Sequence, residues 1–214
     1  MHGLGSHSHN DILSFEYWSQ GRAWLIDPGT YLYTPDPESR NYFRSTEAHN
    51  TVRIDKNEIN PIVADRLFQL PDHARVKVNN WSDDPSVVRF DAEHNGYGVV
   101  HRRSFQMDKA NGDLQIRDSF TGTGLHDFEW FLHGSPGTEI ERIPSGAVLR
   151  SGNAAITLLF DDAGIQCDNT DGWYSPSYGI RERAPVLILH ARRTPPLTIE
   201  IRIVNSYAPD LRHQ

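Results

Sequence analysis

The chain predicts an all-β fold of two or more stacked antiparallel sheets, and three observations carry that prediction. Apolar and polar residues alternate with period two through most of the 214 residues. Turn signals such as Asn95-Gly96, Asn111-Gly112 and Gly122-Thr123-Gly124 punctuate the alternating runs. Helical periodicity is nearly absent.

In chain order, the first regular element expected is one short helix over 37–46, opened by Pro37 and the charged run Glu38-Ser39-Arg40. Alternation then marks strands at 51–55, 74–78 and 87–91, where an outward polar residue separates each inward apolar one. Further strands are expected at 99–107, 114–119, 128–133, 147–150 and 155–160, and the series closes with 186–191 and 197–204. About ten strands with polar alternate positions imply sheets packed face to face, a β-sandwich. It is expected to occupy residues 1–204, followed by a frayed tail over 205–214.

Composition narrows the function. An apolar fraction of 37% and a charged fraction of 23% describe a globular chain. Five Trp, eight Tyr and nine Phe supply a core, and several lie beside polar clusters, as sugar-binding surfaces require. A net charge of -7 argues against a nucleic-acid partner, which needs a basic stripe. Any anion site must therefore be local, and basic residues do cluster at His101-Arg102-Arg103 and Arg181-Glu182-Arg183. Cys167 is the single cysteine, so neither an internal disulfide nor a CxxC site is available. No apolar run approaches the roughly 20 residues of a membrane span, so no membrane partner is expected. No signal peptide is visible. The chain opens directly on its most chemical segment, and we read it as the C-terminal part of something longer.

That segment is Ser6-His7-Ser8-His9-Asn10-Asp11, followed by Asp27 and His49. Two histidines two apart share one face of an extended segment. If the fold gathers these stretches, His9, Asp27 and His49 make a three-ligand site with a fourth position open. Each signal is weak alone: HxH is compatible with a polar loop, Asp27 before Pro28-Gly29 with a turn aspartate bonding its own backbone. His49 is equally compatible with a surface role. Gly3, Gly5, Ser6 and Ser8 would let the backbone approach a ligand closely. Tyr31, Tyr33 and Tyr42 lie near Arg40 and Arg44, and a tyrosine phenol beside a cation can transfer a proton. Asn50 is a candidate donor to a substrate carboxylate or a cap for the turn before the strand, and Arg40 and Arg44 are candidates for binding substrate. His101 and Arg103 should share one strand face, with an ordinary solvated strand the preferred reading for them and for Trp130 and His133.

Four strings in order, Gly5 to Glu16, Leu25 to Tyr31, Arg40 to Thr46 and Ala48 to Val52, resemble the signature of heparinase II/III-like polysaccharide lyases. Val99 to Arg103 and Gly172 to Gly179 resemble the same family, so the likeness runs over roughly residues 3–204. The resemblance implies a C-terminal sandwich normally joined to an N-terminal α/α toroid, acting on uronic-acid polysaccharides such as glycosaminoglycans or alginate by β-elimination. It also implies that His7 is the catalytic histidine, that His9, Asp27 and His49 hold zinc, and that Tyr42 lines the substrate cleft. The toroid's long amphipathic helices are not in this chain, so it would be supplied in cis or in trans. A full-length lyase of this kind would be periplasmic or extracellular. Two other functions suit the same residues: a non-catalytic carbohydrate-binding module, and a structural sandwich stapled by metal.

Overall fold

The computed structural model describes residues 5–160 and 164–205. Gly3, and the expected tail apart from Asn205, lie outside the described residues. The chain opens with a small hairpin, β1 (Tyr17–Ser19) and β2 (Arg22–Leu25), closed by the two-residue turn Gln20-Gly21. Both turn residues have positive φ, at 52° and 74°, as a turn matching the strand twist requires. Helix α1 (Pro37–Phe43) follows, with Pro37 in its first turn and the Asp36 carboxylate accepting from the Ser39 N–H. It ends three residues earlier than expected, and Thr46–Ala48 form a separate 3-10 turn.

The strands after it are β3 (Val52–Ile54), β4 (Lys77–Asp83), β5 (Val87–His94), β6 (Val100–Asp108), β7 (Leu114–Thr121) and β8 (His126–His133). Then come β9 (Glu139–Ile143), β10 (Gly146–Ser151), β11 (Ala154–Phe160), β12 (Gln166–Ser177), β13 (Ile180–Arg193) and β14 (Leu197–Val204). They form an eight-stranded sheet in the order β4-β5-β6-β7-β14-β11-β10-β9 and a four-stranded sheet in the order β12-β13-β8-β3. All of these pairings are antiparallel. The sandwich expected from the alternation is therefore the fold, and β1, β2, β9 and β12 are additional to the strands expected. β12 reads Gln-Cys-Asp-Asn-Thr-Asp-Gly, a poor strand by propensity. Its long register with the apolar β13 holds it in the sheet.

The two large sheets bury one continuous core. Ile116, Phe120, Leu149, Ile156, Leu158, Ile199 and Ile201 face Val52, Ile54, Phe128, Trp130, Leu132, Leu187 and Leu189, all essentially inaccessible. Burying each such side chain contributes roughly 1.5–3 kcal/mol.

A polar network is sealed inside this core, contrary to the solvated strand expected for β6. His101 and Arg103 share a face as predicted, but that face points into the sandwich, and both are buried with Trp130 and His133. The reason is Asp118 on β7, which lies across the ladder and accepts four hydrogen bonds. Arg103 donates from Nε at 2.7 Å and Nη2 at 2.9 Å, His101 Nε2 lies at 2.6 Å, and Trp130 Nε1 donates at 3.0 Å. If His101 Nε2–H donates to Asp118, its Nδ1 must accept from His94 Nε2–H at 3.1 Å. His94 Nδ1 then accepts from the Gly96 N–H. The polarity closes only with both imidazoles neutral. Burial pushes the His94 pKa down to about 3, and burial likewise lowers His101. Burial opposes ionisation of Asp118, but Arg103 and His101 outweigh it and hold the carboxyl far below its usual range.

Candidate functional site

Asn50 ties together the segments that carry His9, Asp27 and His49. Its Nδ2 donates to the Phe15 and Ile26 carbonyls at 2.8 and 3.0 Å, and its Oδ1 accepts from the His133 N–H at 2.7 Å. Its own N–H donates to Ser14 Oγ. One buried side chain thus joins the segment after His9, the strand end before Asp27, and β8, with His49 next to it in the chain. From the core side, Arg103 Nη1 donates to the Leu13 and Asn50 carbonyls, both at 2.8 Å. Asn10 adds a second lock, donating to Glu58 and the Asn60 carbonyl while its Oδ1 accepts from the Asn60 N–H. The expectation that Asn50 binds substrate is therefore corrected: both its amide hydrogens are committed to backbone carbonyls, and it is 1% exposed.

His9, Asp27 and His49 do come together. The His9 and His49 rings are 5.3 Å apart between centroids, and Asp27 Oδ2 is 3.0 Å from His49 Nδ1. The other Asp27 oxygen accepts from the Gly29 N–H at 2.8 Å, so Asp27 is a turn aspartate and a partner of His49 at once. Burial opposes Asp27 ionisation, but the His49 hydrogen bond and charge prevail and lower its pKa. With His49 Nδ1 paired to Asp27, Nε2 is left buried with no partner. His9 faces Arg40, whose Nη1 stands 2.8 Å from its Nε2. Burial first, then the neighbouring His49 and Arg40 charges, push the His9 pKa down to about 3, so the ring is neutral. Asp11 is raised by burial.

Two imidazoles and a carboxylate are a zinc-type donor set, and the orphaned His49 nitrogen is the kind of atom a metal would complete. The three fit a zinc ion in kind. In place they are not gathered around one centre: among the described residues no three His, Cys, Asp or Glu side chains converge on one point, and His9 Nε2 faces Arg40 instead.

The two arginines part company. Arg44 is corrected from substrate ligand to scaffold: it is fully buried, and its guanidinium donates to Asn41 Oδ1 and to the Val63, Leu67 and Gln69 carbonyls. It fastens the loop that carries Phe68. Arg40 is also fully buried, lying 5.1 Å beneath the Tyr33 ring, and its Nε and Nη2 have no partner. Direct substrate contact by Arg40 is corrected to a place behind Tyr33.

His7 is exposed, set edge-on against Tyr33 at 5.4 Å and Phe68 at 5.9 Å. Tyr33 continues to Tyr178, which is 60% exposed, at 5.9 Å. His7 therefore stands on an open aromatic rim, while His9, one pleat further, points inward. Tyr42 is half-buried, with its hydroxyl near Gly172. Burial, reinforced by Glu47, raises its pKa, so the phenol keeps its proton. His133 lies beside the cluster with Nδ1 unpartnered, and burial lowers its pKa to about 4. Sequence reasoning placed His133 on a solvated strand; only the pairing of β8 with β13 and β3 reveals its burial.

A family described as heparinase II/III-like, C-terminal, matches residues 1–210. A heparin-sulfate lyase of Bacteroides stercoris is 25% identical over 182 residues, covering 80% of this chain and 25% of its own length. A heparan sulfate lyase from Pedobacter heparinus has a similar structure, with a TM-score of 0.78 at 16% identity, over 95% of this chain and 32% of that one. A heparinase III structure gives 0.76 at 19% identity, over 92% and 30% of the two chains. The chain thus spans a quarter to a third of the length of these relatives.

Proposed function

The chain belongs to the heparinase II/III-like C-terminal family, and from that premise we propose that it is the β-sandwich wall of a lyase acting on uronic-acid polysaccharides. The observation that carries this reading is the split of the HxH pair, with His7 outward on an aromatic rim and His9 inward against Asp27 and His49. Sugars stack on such rims, and an accessible imidazole beside one can take up a proton from a bound sugar.

In β-elimination a base takes the proton on the carbon next to the uronate carboxylate. The bond to the departing glycosidic oxygen then breaks, that oxygen takes a proton, and a carbon–carbon double bond remains in the sugar. His7 suits the base, being accessible. Tyr42 suits the acid, because burial keeps its phenol protonated until a leaving oxygen needs it. A zinc held by His9, Asp27 and His49 would tie the loops of this wall together and keep His7 in register. By the family resemblance, an α/α toroid in cis or in trans supplies the facing wall and the remaining groups.

The test is ultraviolet absorbance of the unsaturated uronate product on heparan-type, alginate and other acidic polysaccharides, with the helical domain present. His7→Ala and Tyr42→Phe should each lower the rate by about 100-fold or more, while His9→Ala should lose zinc. Unchanged turnover in His7→Ala would sink the catalytic assignment. No product on any acidic polysaccharide, with binding retained, would favour the carbohydrate-binding module.

A further inference from the structure

The β12–β13 hairpin carries a stack of alternating cations and aromatic rings that the reaction above does not use. The Arg183 guanidinium lies 3.8 Å over the Trp173 ring, and that of Arg181 lies 4.3 Å over Trp173 and 4.6 Å over Tyr31. Arg181 Nη1 also donates to Ser39 Oγ at 3.1 Å. Among the described residues neither guanidinium has a carboxylate within ion-pairing distance; Asp36 acts on Arg181 only at longer range. Both arginines are exposed. In a chain of net charge -7, two unneutralised arginines side by side call for a partner.

Stacking fixes the plane of each guanidinium and leaves its N–H edge outward, the geometry that meets carboxylate or sulfate oxygens in pairs. Side-chain entropy lost on binding is correspondingly small. The stack also adjoins the rim already described. Tyr178, at the hairpin tip, reaches Tyr33 and so His7, and Arg183 is close enough to Tyr42 to favour ionisation of its phenol. The Ser175 N–H donates to the Pro28 carbonyl, and the Gly179 N–H to that of Tyr31, so the hairpin is fixed to the Asp27 turn.

We propose that Arg181 and Arg183, stacked on Trp173 and Tyr31, form a subsite for an anionic group, carboxylate or sulfate, on the saccharide unit neighbouring the one at His7. This rests on the lyase reading for its ligand class. It makes the hairpin a specificity element that reads substituents away from the bond broken.

The test is calorimetric titration of the purified chain with heparan-type tetrasaccharides, fully sulfated or desulfated with carboxylates intact. Arg181→Gln and Arg183→Gln should each weaken binding about tenfold, and the double variant about a hundredfold, the size expected for one charge-assisted bond apiece. The unfolding midpoint should not move. Lys at either position should lose less than Gln, since charge survives but the planar fork does not. If the group read is sulfate, the penalty disappears with the desulfated ligand; if carboxylate, it persists. A double variant that binds like the wild type overturns the subsite. Failure of the wild-type chain to bind either ligand overturns the subsite, while the lyase reading stands or falls by the product assay with the helical domain present. Arginine-dependent binding without unsaturated product from the complete enzyme removes only the lyase.

Discussion

Two clusters in this molecule use the same three side-chain types, one sealed in the core and one at the loops, and they differ in how their polar atoms are matched. In the core, His94, His101, Asp118 and Arg103 form a closed circuit in which their donors and acceptors are matched. In the loops, His9, His49, Asp27 and Arg40 are as close together, yet His49 Nε2, Arg40 Nε and Arg40 Nη2 remain without partners. An unsatisfied buried polar group costs about 1–3 kcal/mol. Trp24 Nε1 and His133 Nδ1 are likewise buried without a partner, so an orphaned atom alone does not mark a site; the zinc proposal rests on three of them gathered beside two imidazoles and a carboxylate. The closed circuit reads as scaffold, and the open one is where zinc is proposed.

The sharpest way to break this comparison is Asp118→Asn. It leaves Arg103 as a buried charge with no counter-charge, and chemical denaturation should show a loss of about 3–5 kcal/mol. A loss under about 1 kcal/mol would mean that the core circuit is not closed as described.

Zinc separates the clusters next. Saturating metal at about 100 times its dissociation constant should stabilise the chain by about 2.7 kcal/mol, read as a rise in unfolding midpoint that a chelator reverses. His49→Ala should abolish the rise, whereas His94→Ala should keep it. A rise retained in His49→Ala would place the metal elsewhere.

Asn50→Ala should come third, costing about 1–3 kcal/mol by stranding the Phe15 and Ile26 carbonyls and the His133 N–H. It should also weaken zinc binding, because the three segments lose their common tie.

Acid provides the smallest lever per unit. His94 and His133 have folded values pushed down to about 3 and about 4, below the ordinary 6.5. The unfolded chain therefore binds more protons than the folded one in that window. Their stabilising contribution is complete above pH 6.5 and is lost as pH falls, toward about 4 for His133 and about 3 for His94, by at most about 1.4 kcal/mol per pH unit for each group. Denaturation series at stepped pH on wild type and His94→Gln should show the shallower acid slope in the variant.

Period-two alternation gave the sandwich and most strands, because one-sided burial writes itself into every second residue. It failed at β12, whose polar residues are held by their partner strand, and at the Tyr17-to-Leu25 hairpin, whose strands are too short to alternate. Placing His101 and Arg103 on one face was right; placing that face in water was not, since nothing local to β6 announces an aspartate on β7. Likewise Asn50 and Arg44 looked like substrate ligands because polar residues in a chemical segment invite that reading. Their carbonyl partners lie 19 to 35 residues away in the chain, and no short motif records such distances. The nearness of His9, Asp27 and His49 could be anticipated only from their shared company and the family likeness.

Gly29 carries one more lesson. It sits at φ +79°, and a Cβ there would come within 2.3 Å of the Ser175 carbonyl oxygen. Any larger residue would have to prise the Asp27 turn from the β12 strand. The metal-type cluster and the arginine stack are thus soldered at a single atom's clearance, and neither can drift independently of the other as sequences diverge. The outer turn at Tyr178-Gly179 is tied as well: Gly179 sits at φ +76°, its N–H donates to the Tyr31 carbonyl, and Tyr178 packs on Tyr33. A tailor of new specificities would leave both seams uncut.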